Sequence, residues 1–345
     1  MREPILTIVV PCYNEEEILP YTFTELKSLM KNMVEEDMVS PNSKILFVDD
    51  GSKDRTWSII YKETLRNEYI KGIKLSRNVG HQNALLAGLF AAKERSDCVI
   101  SIDADLQDEI LCIKEFVRKF KEGYEIVYGV RKKRSTDTFF KRVTAQGFYK
   151  IMKSMGVDLV YNHADYRLMS KRAVHELEQF EEGNLFLRGI VPLIGFNTTS
   201  VYYERKERIA GETKYPLKKM LSFALDGITS FSIKPIRLVL FMGLASFFVS
   251  LLFALYFLSL KFFGNTELGW TSLITSIWLI GGLQLIAVGL VGEYIGKIYR
   301  EVKRRPKYIV DIDTFNIPIS LHLRESGRSN HESIIHEHRE ILESN

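Results

Sequence analysis

Short apolar stretches alternate with longer amphipathic stretches over the first third of the chain. Short runs rich in Val and Ile favour strands, and apolar residues spaced three or four positions apart favour helices. We predict strands over 6–10, 45–48, 70–75, 99–102 and 126–128, and helices over 15–34, 56–66 and 82–93. This alternation predicts a doubly wound, Rossmann-like α/β domain on a parallel sheet.

Two later stretches, 238–260 and 268–292, contain no charged residue. A helix of 23 residues would extend about 35 Å, which exceeds the roughly 30 Å hydrocarbon core of a bilayer. The sequence therefore predicts two transmembrane helices. Basic residues at the outer ends of the pair predict that both chain termini face the cytoplasm, so the expected location is the cell (plasma) membrane, as a multi-pass protein.

These patterns divide the chain into five predicted parts. They are a cytosolic domain (1–214), an interfacial amphipathic helix region (215–235), a two-helix transmembrane hairpin (236–296), a cytosolic juxtamembrane segment (297–318) and a mobile polar tail (319–345).

Composition narrows the possible classes of protein. Of 345 residues, 46% are hydrophobic and 26% are charged, which predicts a folded chain rather than a disordered one. The net charge of +4 is too small to indicate a nucleic-acid partner. The three cysteines, Cys12, Cys98 and Cys112, lack the spacing of a zinc site and do not form a disulfide framework.

Polar clusters follow the first four predicted strands, at 11–15, 49–52, 76–81 and 103–108. Ligands bind at the carboxyl ends of the strands in such sheets. The last cluster contains Asp103 and Asp105, with Gln107 nearby, and these side chains offer the oxygen ligands that Mg2+ or Mn2+ prefers. A single Asp-x-Asp is also common in turns, so its place at a strand end is what favours a metal site. Asp108 and Glu109 have an alternative role as caps of the next helix.

The chain resembles glycosyltransferase family 2 with the GT-A fold over about residues 5–310. Within that family it is similar to polyprenyl-phosphate glycosyltransferases such as dolichol-phosphate mannose synthase and the bactoprenol glucosyltransferases. The matching motifs are VVPCYNEE, VDDGSKD, LSRNVGHQNALLAG, DADLQD, NHADYRLMS and ERIAGETKYPLKKM.

This resemblance implies an inverting hexosyltransferase that uses Mg2+ or Mn2+. Its expected substrates are a nucleoside diphosphate sugar, first UDP-glucose, and undecaprenyl or another polyprenyl phosphate at the cytoplasmic membrane face. UDP-N-acetylglucosamine, UDP-galactose and GDP-mannose remain open as donors. The lipid-linked sugar would serve the glycosylation of a surface polymer, and the family suggests a homo-oligomer, a tetramer.

The resemblance also assigns roles to residues. Catalytic roles fall to Asp103, Asp105 and Asp165, and metal binding to Asp103, Asp105 and Gln107. Nucleotide binding falls to Pro11, Tyr13, Glu15, Asp49, Asp103 and Ala104. The neighbouring Asp50, Gly51 and Ser52 have an alternative role as an Asx-type turn, and His81 is either a diphosphate contact or a structural histidine.

A lipid monophosphate is largely ionised near neutral pH, so it needs cations to hold it more than it needs a general base. The predicted phosphate contacts are Arg131, Arg205, Arg208 and Lys214. Their alternative role is contact with anionic lipid head groups. Asp165 is either a base, a residue that positions the acceptor or Arg167, or a salt-bridge residue.

Two other functions are alternatives to this one. A processive polysaccharide synthase is disfavoured because the chain has no QxxRW sequence and too few predicted spans for a polymer channel. A membrane-anchored protein that binds sugar nucleotides without turnover, as a sensor or scaffold, is the non-catalytic alternative.

Overall fold

The computed structural model describes residues 2–131, 163–182, 187–204 and 270–316, and scattered positions between 236 and 259. The strands are β1 (Leu6–Cys12), β2 (Lys44–Asp49), β3 (Ile70–Leu75), β4 (Cys98–Ser101), β5 (Ile126–Arg131), β6 (His163–Ser170), β7 (Thr198–Tyr203) and β8 (Val310–Asp313). They form one sheet in the order β7-β5-β6-β4-β1-β2-β3-β8.

Helices cover both faces of this sheet. They are α1 (Leu19–Glu35), α2 (Thr56–Arg66), α3 (His81–Ala92), α4 (Cys112–Lys121), α5 (Lys171–Glu178) and α6 (Leu187–Ile190), followed by the longer α7 (Trp270–Val302). Apolar side chains of α1, α2 and α4 pack on one face of the sheet. Those of α3, α5 and α6 pack on the other face, so the central strands are buried on both sides.

The four central strands, β4, β1, β2 and β3, are parallel, as the sequence predicts. The sheet as a whole is mixed, because β6 lies antiparallel between β4 and β5. The strand β8 is also antiparallel and extends the edge at β3. Both additions come from distant parts of the chain, and the alternation of nearby strands and helices carries no information about such pairings. The α/β part of the predicted fold is confirmed.

The prediction of two transmembrane helices is wrong for the residues that the structure describes, since none of their helices has the length and apolarity to cross a bilayer. The predicted multi-pass location in the cell membrane is contradicted by the same finding. Freedom from charge does not by itself establish a membrane span: the charge-free stretch ends within α7, and Glu293, Lys297, Arg300 and Glu301 follow it in the same helix. Most of the other stretch, 238–260, lies outside the described residues.

Candidate active site

The loops that follow β1 and β2 are joined by side-chain hydrogen bonds. The backbone N–H of Asn14 donates to Ser52 Oγ at 2.9 Å, and that of Lys53 donates to Asn14 Oδ1 at 2.9 Å. The N–H of Glu15 donates to Thr56 Oγ1 at 2.8 Å. These bonds hold the predicted nucleotide-binding residues of the first loop beside the carboxyl end of β2.

Asp49 ends β2, Asp50 follows it, and both are buried. Both carboxylate oxygens of Asp49 lie 3.4 Å from the N–H of Ser52, and burial raises the pKa of Asp49 although this bond opposes the rise. Asp50 accepts hydrogen bonds from the N–H groups of Val79 at 2.7 Å and Gly80 at 2.9 Å. Asp49 therefore holds the backbone three residues on, at Ser52, and Asp50 fixes the loop that leads into α3.

The Asp-x-Asp segment forms a tight turn directly after β4. The N–H of Leu106 donates to the carbonyl of Asp103 at 3.2 Å, and the N–H of Gln107 donates to Asp105 Oδ1 at 3.3 Å. Thr22 of α1 donates to the carbonyl of Ala104 at 2.7 Å and anchors the turn to the helix layer. Asp103 and Asp105 remain partly exposed, whereas Gln107 is buried.

Negative charge surrounds Asp103. Its carboxylate lies 3.5 Å from Nε2 of His81, and the Asp103 side chain is 44% exposed. Partial burial raises the pKa of Asp103; the charge of His81 opposes the rise, and those of Asp108, Asp165 and Asp105 add to it. A carboxylate in such surroundings is stabilised by any cation that enters.

Asp165 lies on β6, next to the Asp-x-Asp turn. Ser101 pairs with Arg167 across the antiparallel strands, and continuing this register places Asp103 opposite Asp165. Arg167 Nη2 donates to Asp165 Oδ1 at 2.5 Å, and Arg188 Nη2 donates to Oδ2 at 3.1 Å. Although burial raises the pKa of Asp165, Arg188 and Arg167 hold it well below its ordinary value.

A second guanidinium–carboxylate pair lies at the end of β5. Arg131 donates to Oδ1 of the buried Asp108 from Nη2 at 3.0 Å, and Tyr203 at the end of β7 donates to the same oxygen at 2.6 Å. Burial lowers the pKa of Arg131, but the adjacent Asp108 carboxylate outweighs it, so the guanidinium stays charged. Asp108 therefore holds Arg131 and Tyr203 rather than capping α4, which begins without a side-chain cap.

The residues of the Asp-x-Asp turn fit a divalent cation on the chemistry of their donor atoms. Within the described ranges, no three His, Cys, Asp or Glu side chains are grouped as a metal site. Asp103 and Asp105 offer two hard oxygen ligands, and a cation held by two carboxylates keeps positions for phosphate oxygens and water. Gln107 lies close in sequence, but its side chain is buried, and its backbone N–H donates a hydrogen bond to Asp105 Oδ1.

The structure brings most of the predicted site residues to one end of the sheet, at the carboxyl ends of the parallel strands. Arg205, Arg208 and Lys214 lie outside the described residues, as does the predicted interfacial helix region 215–235. Sequence reasoning missed Arg188 and Tyr203. Arg188 interrupts an apolar stretch, which is a weak signal of a buried ion pair, but no local pattern links it to Asp165.

An α/β sheet with an Asp-x-Asp turn at a central strand end is typical of nucleotide-sugar glycosyltransferases, and sequence comparison gives the family. Residues 7–178 match the profile described as "Glycosyl transferase family 2". The chain is 59% identical over 318 residues to "Uncharacterized glycosyltransferase YkoT" of Bacillus subtilis (strain 168), with 92% of this chain and 94% of that protein covered. The chain belongs to glycosyl transferase family 2 and is a glycosyltransferase.

Other relatives and solved structures extend this comparison. The chain is 40% identical over 307 residues to "Prophage bactoprenol glucosyl transferase homolog" of Escherichia coli (strain K12), with 88% of this chain and 98% of that protein covered. A crystal structure of glucosyl-3-phosphoglycerate synthase from Mycobacterium tuberculosis in complex with Mn2+, UDP and phosphoglyceric acid has a TM-score of 0.43 and 15% identity. That alignment covers 66% of this chain and 76% of that chain.

Proposed function

We propose that this glycosyltransferase moves a hexose from a nucleoside diphosphate sugar to a polyprenyl phosphate with inversion, and that UDP-glucose and undecaprenyl phosphate are its substrates. The relatives named bactoprenol glucosyl transferase support a lipid acceptor, because they match nearly the whole chain at about 40% identity. The expected product is a lipid-linked monosaccharide. The homo-oligomeric state stays a prediction.

The proposal of a phosphate acceptor rests on the hydrogen bonds of Asp165, whose two carboxylate oxygens both accept from guanidinium groups. A hydroxyl acceptor needs a base that removes its proton during attack. The carboxylate opposite Asp103 is a poor base, because Arg167 and Arg188 donate to its two oxygens and lower its affinity for a proton. A phosphate monoester is already largely ionised near neutral pH, so it can attack without such a base.

On the donor side, Asp103 and Asp105 would hold Mg2+ or Mn2+. When bound there, the cation supplies positive charge for the departing diphosphate. The buried Asp49 turn and the loop after β1 shape the proposed nucleoside pocket, with Pro11, Tyr13, Glu15 and Ala104 around it. On the acceptor side, Arg131, Arg205, Arg208 and Lys214 are the proposed phosphate contacts, and Arg188 joins them because its side chain is 37% exposed beside Asp165.

A transfer assay on the full chain in detergent tests this function. Radiolabelled UDP-glucose, UDP-N-acetylglucosamine, UDP-galactose and GDP-mannose are each incubated with Mn2+ and undecaprenyl phosphate, and label is counted after extraction into organic solvent. We expect lipid-borne label from UDP-glucose. Replacing the acceptor with undecaprenol, which lacks the phosphate, should abolish the label, because the site has no free carboxylate base opposite Asp103.

Matched variants separate the site from the rest of the fold. Asp105→Asn should lose the label, as should the wild type in EDTA. Glu35→Gln is the control, since Glu35 is an exposed carboxylate at the end of α1. Label transfer to undecaprenol would contradict the phosphate acceptor. Binding of a sugar nucleotide with no label from any donor would favour a sensor or scaffold instead.

A further inference from the structure

A basic cavity lies at the opposite end of the sheet, at the amino ends of the parallel strands. It has a volume of about 250 Å³. The lining residues are Thr7, Asn42, Lys44, Lys71, Arg95 and Phe315. A strand of six residues is about 20 Å long, so this cavity is well separated from the Asp-x-Asp turn at the carboxyl ends.

Three separate elements bring the cations together. Lys44 begins β2, Lys71 is the second residue of β3, and Arg95 lies in the loop between α3 and β4. Side chains alternate between the faces of a strand, and the register pairs Thr7 with Lys44 and Leu46 with Lys71. Leu46 packs in the cluster of α3 side chains, so both lysines lie on the α3 face of the sheet.

The cations of this cavity have no carboxylate partner in the described part of the chain. None of the ion pairs found there within 4.0 Å includes Lys44, Lys71 or Arg95. Arg95 donates to the backbone carbonyl of Asn316 at 3.0 Å and lies 5.7 Å from the ring centre of Phe315. Its positive charge is thus oriented but not neutralised.

The environment of Lys44 shows the cost of this arrangement. Burial lowers the pKa of Lys44; the charge of Glu68 opposes this, and the charge of Lys71 lowers the pKa further. Two like charges on adjacent strands, both partly buried, repel each other in a medium less polar than water. An anion between them would relieve that repulsion and replace the water that they lose.

We propose that the cavity lined by Lys44, Lys71 and Arg95 binds a small phosphate-containing anion. Three converging cations match the multiple charged oxygens of such a group, and Thr7 and Asn42 add neutral polar groups to the lining. The cavity is large enough for a diphosphate. This site is distinct from the proposed donor site and does not depend on the proposed function.

Calorimetric titration of the full chain with pyrophosphate in metal-free buffer tests the site. Without divalent cations, binding at the Asp-x-Asp turn is disfavoured by its negative charge. We expect saturable binding that Lys71→Met and Lys44→Met each weaken by about tenfold, since each removes one charge-assisted hydrogen bond. Repeating the pyrophosphate titration at several sodium chloride concentrations shows how strongly the binding affinity depends on ionic strength.

Lys74→Met is the matched control. It removes a lysine from the same strand on the opposite face, where Lys74 pairs with Asp311 at 3.6 Å. The proposal requires wild-type affinity in this variant, with circular dichroism showing that all variants are folded. The proposal is overturned if the wild type shows no saturable binding, if neither Lys71→Met nor Lys44→Met weakens it, or if Lys74→Met weakens it equally.

Discussion

The turn after β4 and the neighbouring strand β6 hold carboxylates in opposite electrostatic surroundings. Asp103 lies near the carboxylates of Asp105, Asp108 and Asp165. Its own carboxylate is 3.5 Å from Nε2 of His81. Asp165 accepts hydrogen bonds from two guanidinium groups. The pKa is raised in the first case and lowered in the second, although both side chains belong to the same edge of the sheet.

This contrast separates a carboxylate that the chain already pairs with cations from one that a bound cation would stabilise. The negative charge of Asp165 is already balanced by the chain itself, so this residue completes an internal ion-pair network. The charge at Asp103 is instead opposed by three neighbouring carboxylates, which suits a divalent cation. A carboxylate at this end of the sheet therefore cannot be assigned a role from its position alone.

The largest effect is expected on stability when Asp165 is neutralised. Asp165→Asn leaves the buried guanidinium of Arg167 without its charged partner, which costs about 3–5 kcal/mol of unfolding free energy. Urea unfolding measures it. The control is Asp311→Asn, which breaks an ion pair between partly exposed side chains and should cost less than about 1 kcal/mol. Equal losses of unfolding free energy in the two variants would show that the ion pairs of Asp165 stabilise the fold no more than a partly exposed pair does.

Neutralising Asp103 should instead affect activity. Asp103→Asn removes a proposed cation ligand, and we expect lipid-borne label in the transfer assay to form about 100- to 1000-fold more slowly. The unfolding transition of this variant should be retained, so the loss cannot be attributed to misfolding. Transfer within a factor of about two of the wild type would remove Asp103 from the catalytic site.

The pH dependence of stability should separate Asp165 from ordinary carboxylates. Its folded-state pKa is depressed, so its contribution is fully present above the unfolded value of about 3.9 and is lost as pH falls toward the folded pKa. The stability difference between wild type and Asp165→Asn should thus be constant from about pH 7 to pH 5 and narrow below about pH 4. Urea unfolding at several pH values measures it, and a difference that grows in acid would reverse the assignment.

The smallest effect is a gain in stability on neutralising Asp103. Asp103→Asn removes repulsion among the carboxylates around the turn, and because the side chain is 44% exposed we expect a gain of only about 0.5 kcal/mol in metal-free buffer. Thermal unfolding in metal-free buffer measures this change. A clear loss of stability would mean that the pair with His81 outweighs the repulsion.

Local sequence patterns predict the central part of the fold well. The predicted strand 45–48 falls within β2, and the predicted helix 56–66 coincides with α2. The predicted start of the first helix at Glu15 is too early: α1 begins at Leu19, and the N–H groups of residues 14–16 donate to side chains of the next loop, which hold this segment as a loop. Such a tertiary effect is invisible in the local pattern.

The candidate site is predictable to the extent that it follows strand ends. Asp103 and Asp105 follow the predicted strand 99–102, and Arg131 follows the predicted strand 126–128. The partners that determine their electrostatics come from further away: Arg188 reaches Asp165 from α6, and Tyr203 reaches Asp108 from β7. The antiparallel insertion of β6 brings Asp165 beside the Asp-x-Asp turn, and no periodicity in the sequence encodes it.

Binding of Mn2+ tests the contrast between the two carboxylates most directly. The full chain is titrated with Mn2+, and free Mn2+ is followed by its electron paramagnetic resonance signal for the wild type, Asp103→Asn and the control Asp311→Asn. We expect the wild type and Asp311→Asn to deplete the free Mn2+ signal and Asp103→Asn to leave it unchanged. Depletion by Asp103→Asn equal to that of the wild type would contradict this expectation.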